Sequence, residues 1–346
     1  MQKLNGKILR ISLRIFIVIF FLVASFLVYI SLNDYQPPDQ MRLEVYGSPE
    51  DNLPDTNVFN LMTWNIGYAG LGKEMDFFYD GGSKVRPGKK LFEKYLKGIL
   101  GELEKSDSID FVFLQEVDVR SKRSYLKDQT ERISRVFDEH YEVFAKNYDV
   151  PVVPVPLFNS LGKVEAGMMS LSRYTPSEAL RIAYPNLAGW PNRLFLLDRC
   201  LIALHIPLPE HNAELVLLNT HNSFYIKEEN LRQKELDILR TYALKEYEKG
   251  NFVMAGGDWN QNPPGTGRLD FTTSDKFTPT HIQLKAGFMP AGWQWVYDPE
   301  IPTNRNVDAA YRKAKTGTGI IDFFLASPNI RVLEKRTLDL GFEYSD

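Results

Sequence analysis

The hydrophobic pattern changes character twice along the chain. From Ile15 to Leu32 it reads IFIVIFFLVASFLVYISL, eighteen residues with no charge, just enough for a helix to cross a hydrocarbon core. Residues 33–56 lose that pattern, and Pro37, Pro38, Pro49 and Pro54 among scattered Asp and Asn predict a linker. From Val58 onward, short apolar runs predict strands at 58–64, 109–115, 167–172, 199–206, 214–220, 251–257 and 320–326. Two stretches between them have the helical period: 91–105, with Leu91, Tyr95, Leu96, Ile99 and Leu103 on one stripe, and 230–249, with Leu231, Ile238, Leu239 and Tyr242. Strands and helices interleave throughout, which predicts a layered α/β domain over residues 57–346.

Charge gives the apolar segment a direction. Residues 1–14 form a basic N-terminus with Lys3, Lys7, Arg10 and Arg14 and no acid, whereas the next cation, Arg42, follows Asp34 and Asp39. The positive-inside rule then leaves the N-terminus cytoplasmic and sends the rest across the membrane, to the periplasm or cell exterior. A cleaved signal would have a small-x-small site, but Leu27-Val28-Tyr29-Ile30 follows the small pair Ala24-Ser25, so 15–32 reads as an uncleaved signal anchor. Cys200 is the single cysteine, which excludes an intramolecular disulfide framework and a cysteine-based zinc site. The net charge is −3, and without the four early cations the remainder stands at −7, so it lacks the basic footprint of a tight nonspecific nucleic-acid binder.

The chemistry gathers at strand ends. Trp64-Asn65, Gln115-Glu116, Asn219-Thr220-His221 and Gly257-Asp258-Trp259-Asn260 each close an apolar run, and Asp322 sits inside IIDFFLA. An acid among Ile320, Ile321, Phe323 and Phe324 needs a defined partner. Oxygen ligands with one imidazole and no thiolate describe a hard-cation site for Mg²⁺, Mn²⁺ or Ca²⁺.

The segments TWNIG (63–67), LQEVD (114–118), LNTHNS (218–223), GGDWN (256–260) and IDFFLAS (321–327), in this order, resemble the endonuclease/exonuclease/phosphatase superfamily, from about Val58 to the last residue. The resemblance implies a DNase I-like four-layer α/β sandwich, two mixed sheets face to face with helices outside, here preceded by one transmembrane helix. It also implies hydrolysis of phosphoesters with Mg²⁺ or Mn²⁺ at one edge of the sandwich. By the same resemblance Glu116 is the principal metal ligand, with Asn65 beside it on the metal or the phosphate. Asp258 orients or deprotonates the attacking water, Asn260 hydrogen-bonds a phosphate oxygen, and His221 stands near the leaving oxygen. Asp322 is similar to the buried aspartate that holds a second histidine, and Asp346, of a Ser-Asp pair, joins the metal set. In the family that histidine follows the Ser-Asp pair directly; here the sequence reads Glu343-Tyr344-Ser345-Asp346. The expectation is a truncated chain in which Asp322 lacks its imidazole, with lowered stability and activity.

The remaining candidates carry two readings each. Trp64, Trp259 and Phe323 read as core, His205 as a strand histidine satisfied by a neighbour, and His140, His211 and His281 as surface or loop residues. Arg199 is either a phosphate contact or half of a structural ion pair with Asp198. The stretch 68–90 is either a substrate-selecting lid or a packed surface loop, and the same pair of readings applies to 151–156 and 261–280. The leading expectation is a membrane-anchored phosphodiesterase or phosphatase acting on a lipid headgroup or small phosphodiester. A nuclease acting on DNA or RNA is the nearest rival, and a catalytically impaired phosphate-binding domain is the alternative of a different class.

Overall fold

The computed structural model describes residues 2–47, 52–224, 229–266 and 283–346. In chain order its elements are α1 (Gln2–Leu32), β1 (Gln40–Arg42), β2 (Leu61–Asn65), α2 (Lys89–Glu104), β3 (Phe111–Asp118), α3 (Gln129–Ser134), β4 (Tyr141–Val153), β5 (Gly162–Ser172), β6 (Glu178–Ala183), β7 (Cys200–Leu208), β8 (Ala213–His221), α4 (Glu229–Glu248), β9 (Phe252–Asp258), β10 (Gln294–Val296), β11 (Asn304–Arg305), β12 (Thr318–Gly319) and β13 (Asp322–Ala326). Among the described residues the strands form a large sheet in the order β1-β6-β7-β8-β9-β13-β10, a small sheet in the order β2-β3-β5-β4, and the pair β11-β12. Both larger sheets are mixed: β2 runs parallel to β3 and β8 parallel to β9, and the remaining pairings are antiparallel.

The period of two along the strands explains the layers. In β7 and β8, Leu201, Ala203, Val216 and Leu218 face outward onto Leu236, Leu239 and Ala243 of α4. Their neighbours Cys200, Ile202, Leu204, Leu215 and Leu217 face inward and meet Phe111, Phe113, Val143 and Met168 of the small sheet. The other face of the small sheet, with Val112, Leu114, Met169 and Leu171, packs under Phe92, Tyr95, Leu96 and Ile99 of α2 and Ile133 of α3. Both faces of the central strands are covered, so these strands read as continuous apolar runs rather than alternating ones. The four-layer α/β sandwich implied by the sequence is therefore what forms.

Two parts of the structure differ from the sequence reading, and a third settles one of its alternatives. Gln40–Arg42, inside the stretch read as a linker, pairs with Leu180–Ile182 and becomes the edge strand of the large sheet. β4 and β6 were not expected, because β4 carries Lys146, Asp149 and Pro151 and β6 carries Arg181. Residues 68–90, read as a substrate-selecting lid or a packed surface loop, are packed: Tyr68, Ala69, Leu71 and Met75 enter the α2 core. The buried Arg305 guanidinium holds their backbone by donating to the carbonyls of Leu71 (2.8 Å) and Gly72 (2.9 Å). Within α1, Lys7–Leu32 is long and apolar enough to cross a membrane by length and composition. His281 and most of the 261–280 loop lie outside the described residues.

Candidate active site

The site lies where the two sheets end side by side. β8, β9 and β13 are neighbours in the large sheet, with His221 opposite Asp258 and Asp258 opposite Asp322 in register. β2 and β3 are neighbours in the small sheet; β2 finishes on Asn65, and β3 carries Glu116 two residues before its end at Asp118. Glu116 has φ +54 beside a register shift between Leu114 and Val117, a bulge that turns its carboxylate out of the ladder. Gly257 has φ +137, and a Cβ there would lie 2.0 Å from the Thr220 carbonyl oxygen; only glycine lets β9 approach β8 this closely.

Two polar ties join the sheets at this edge. Asn65 Nδ2 donates to Asp258 Oδ2 (2.9 Å) and to Glu116 Oε1 (3.3 Å), while its Oδ1 accepts from Gly67 N–H and fixes the amide orientation. One layer deeper, Gln115 Nε2 donates to Asn219 Oδ1 (2.7 Å), and Asn219 Nδ2 donates to the Met169 carbonyl and Ser170 Oγ. Buried polar ties of this kind fix the relative register of the two sheets because each group left unpaired would be costly.

Around the Asn65 amide the ionisable groups converge. His221 Nε2 stands 3.6 Å from Asp258 Oδ2 and 3.9 Å from Glu116 Oε1. Burial holds the His221 imidazole well below its ordinary pKa, and the Arg199 and Arg123 charges add to the effect. Burial pushes Asp258 up to about 6, with the Glu116 charge adding to the rise and the Asn65 and Asn260 hydrogen bonds opposing it. Asp322 is pushed well above the ordinary carboxyl range by burial and by the Asp258 charge. Its Oδ1 is buried without a partner, so the defined partner expected for it is absent among the described residues; only the Thr303 hydroxyl is a stabilising neighbour. Asp346 is also brought in. Its carboxyl rises to about 8 through burial and the Glu116 charge, with Arg305 opposing, and its Oδ1 has no partner among the described residues. Ser345 Oγ accepts from Trp64 Nε1 (2.9 Å), which docks this last segment against β2.

The other candidates separate. Asn260 N–H donates to Asp258 Oδ1 (2.8 Å) and its side-chain amide donates to the Asn222 carbonyl (2.7 Å), so it braces the loop around Asp258. Arg199 donates to the His221 carbonyl (3.1 Å) and forms no ion pair with Asp198, so the ion-pair reading fails and Arg199 braces the end of β8. His205 is satisfied between Glu214 (2.7 Å) and Tyr242 (2.9 Å). His140, expected at the surface, is buried with Nε2 against the Ile109 carbonyl (2.7 Å), because it packs edge-on to Phe137 under the small sheet. Trp259 stacks on Phe323 in the core.

Two residues of the site carried no signal in the sequence. Asp80, in the packed 68–90 loop, is raised to about 7 by burial and the Glu116 charge, so the loop delivers a carboxyl toward the site. Tyr68 has φ +44, its buried hydroxyl has no partner among the described residues, and the Arg123 guanidinium lies 3.7 Å from its ring centre. Arg123 in turn pairs with Asp118 (2.9 Å), two residues after Glu116.

The donor set suits a hard divalent cation. The Glu116, Asp258, Asp322 and Asp346 carboxyls converge without a thiolate, and the Asp322 and Asp346 Oδ1 atoms, which have no hydrogen-bond partner among the described residues, leave oxygen positions that a cation would fill. Among the described residues no three His, Cys, Asp or Glu side chains already close into a cage. Mg²⁺ does not need one, since it is held by one or two carboxylates and retains several waters.

The sequence profile of the Endonuclease/Exonuclease/phosphatase family matches residues 62–346. Among solved structures, an endonuclease/exonuclease/phosphatase from Beutenbergia cavernae DSM 12333 superposes with a TM-score of 0.55 at 18% identity, covering 83% of this chain and 69% of that one. Truncated TDP2 from Caenorhabditis elegans follows with a TM-score of 0.48 at 15% identity, covering 78% and 84%. The human Nocturnin catalytic domain with bound sulfate anion has a TM-score of 0.45 at 16% identity, covering 84% and 87%. No curated protein matches the chain.

Proposed function

Because the chain belongs to the endonuclease/exonuclease/phosphatase family, we propose that it is a divalent-metal-dependent hydrolase of phosphoester bonds, anchored to a membrane by α1. The observation that carries this reading is the Asn65 amide held between Glu116 and Asp258 from opposite sheets, with the His221 imidazole within 4 Å of both carboxylates. Mg²⁺ or Mn²⁺ held by Glu116, with Asn65 and Asp346 beside it, would neutralise the phosphate oxygens and the charge that develops on them.

The chain's own groups supply the rest. Asp258, raised to about 6, is a base of useful strength near neutral pH and is positioned to accept the proton of the attacking water. The neutral His221 offers an N–H to the phosphate or leaving oxygen without adding charge. Asp322, raised well above the ordinary range, stays protonated beside Asp258 and keeps a second negative charge from forming there. Asn260 and Arg199 hold the Asp258 and His221 loops from behind.

An acidic domain on a membrane anchor favours lipid headgroups or small phosphodiesters over duplex DNA. The test follows hydrolysis of bis-p-nitrophenyl phosphate and p-nitrophenyl phosphate by the detergent-solubilised full chain with Mg²⁺, Mn²⁺ or EDTA. Turnover is expected with metal, none with EDTA, and a loss of about 10² or more in Glu116→Gln and Asp258→Asn. Metal-independent turnover, or turnover that survives both substitutions, would refute the assignment, and nicking of supercoiled plasmid in preference to both esters would move it to the nucleases.

A further inference from the structure

Six of the exposed large apolar side chains of the domain lie close together in two loops. Val155, Leu157 and Phe158 form the tip between β4 and β5, with Leu157 80% and Phe158 100% exposed. Leu187, Trp190 and Leu196 lie in the connection from β6 to β7, with Trp190 60% exposed. The two loops share one footing: Phe195 and Leu197 pack with Val153 and Leu161, and Tyr148 Oη donates to the Phe195 carbonyl (3.0 Å).

α1 enters the same corner. Phe26 stacks on Phe195 with ring centres 6.3 Å apart, Trp190 Nε1 donates to Ser31 Oγ (3.2 Å), and Arg193 reaches Asp34 (3.5 Å). Arg10 and Arg14 fix where the apolar span begins. The eighteen uncharged residues after Arg14 rise ~27 Å as a helix, so nearly all are needed for a ~30 Å hydrocarbon core. Phe26 precedes the end of α1 at Leu32 by six residues, a rise of ~9 Å, and therefore lies below the membrane surface. A domain side chain stacked on Phe26 lies at that depth too.

We infer that the 155–158 tip and the 187–196 loop form a rim inserted into the leaflet where α1 ends, and that this rim sets the active site against the lipid surface. The reading rests on the proposed membrane anchor and names the substrate side of the proposed hydrolase as lipid-borne phosphoesters. The chemistry of the rim fits this occupant: apolar tips carry a tryptophan at the level of Ser31, where an amphipathic ring suits the interface. Arg86, held on Asn159 and Ser160, and Lys122, lying over Gly162, flank the tip as cations for headgroup phosphates. The rim also adjoins the mouth of the site. Tyr79 Oη donates to the Val155 carbonyl (2.6 Å); β5 starts below the tip at Gly162 and reaches Val117, next to Glu116, at Gly167, and β7 follows the second loop with Leu201 paired to Thr220, next to His221.

The test uses the full chain in vesicles of phosphatidylcholine and phosphatidylglycerol. The native Cys200 is buried and does not label, so Phe158→Cys and Glu248→Cys each take one environment-sensitive fluorophore; Glu248 ends α4, at the edge of the large sheet away from Asp258. The Phe158 probe is expected to shift blue and to be quenched by spin-labelled lipid, and the Glu248 probe to do neither. A Phe158 probe that stays as wet as the Glu248 probe overturns the rim, as does a blue shift that lipid quenchers do not touch, which would place a protein there instead. In the second arm, Leu157→Asp/Phe158→Asp is expected to lose about tenfold in hydrolysis of vesicle-borne phosphodiester while keeping its rate on bis-p-nitrophenyl phosphate. An unchanged ratio of the two rates overturns the lipid-side assignment. No turnover of any ester with a lipid-quenched Phe158 probe removes the hydrolase and leaves the membrane rim standing.

Discussion

Replacing Asp258 by Asn isolates the electrostatic tension at the centre of the site. Burial and the Glu116 charge raise this carboxyl from 3.8 to about 6, a difference of ~3 kcal/mol between its two protonation states. The folded-state pKa lies above the unfolded one, so the stability that protonation supplies is full below about pH 4 and is lost as pH rises through about 6. Between pH ~4.5 and ~7.5 the loss is ~2 kcal/mol, because at pH ~4.5 the unfolded carboxyl is already mostly ionised. Asparagine cannot ionise and removes that dependence. It also disturbs the Asn65 hydrogen bond by ~1 kcal/mol, but that cost is the same at both pH values. The assay is denaturant unfolding of the full chain in detergent with EDTA, for wild type and Asp258→Asn at both pH values. The variant's stability relative to wild type is expected to improve by ~2 kcal/mol from pH ~4.5 to ~7.5, and added Mg²⁺ to abolish the improvement by stabilising the wild-type carboxylate. A relative stability that is flat with pH in EDTA would refute the account of Asp258 as a carboxyl destabilised by its surroundings.

Three further substitutions probe what holds the site together. Asn219→Ala takes the acceptor from Gln115 Nε2 in a buried place and is expected to cost about 2–3 kcal/mol in denaturant unfolding; a cost near zero would show that the two sheets do not depend on this tie. Arg305→Met leaves the Leu71 and Gly72 carbonyls without their buried donor. It should cost about 3 kcal/mol or more and raise hydrogen exchange selectively in residues 68–80. Gly257→Ala would place a methyl 2.0 Å from a backbone oxygen at φ +137. A destabilisation of at least about 3 kcal/mol is expected, and a stable, active variant would contradict the close approach of β8 and β9.

Much of the fold was legible because covered strands leave an unmistakable trace. Runs such as LIAL in β7 and LVLL in β8 are apolar at every position because alternate residues enter different cores. Their polar ends, Asn65, Glu116, His221 and Asp258, were conspicuous for the same reason. β4 and β6 were not legible, since Lys146 and Arg181 interrupt them. Arg181 is nonetheless buried, donating to the Lys146 and Asp198 carbonyls, and no local pattern says that a charge will find such acceptors. Nor did a short stretch rich in Asp and Pro announce that Gln40–Arg42 would add to a sheet edge.

The sequence by itself determined which residues end the strands, their order, and the charge asymmetry around α1, because these depend only on period, side-chain chemistry and position along one chain. Only the tertiary structure decided that Asn65 meets Asp258 across 193 positions, that Asp80 approaches them, and that Arg199 bonds the His221 carbonyl rather than the Asp198 carboxylate. Those pairings come from two sheets packing face to face. The packing is driven by nondirectional burial of their inner faces and fixed in register by a few buried hydrogen bonds, a long-range outcome that local pattern does not encode.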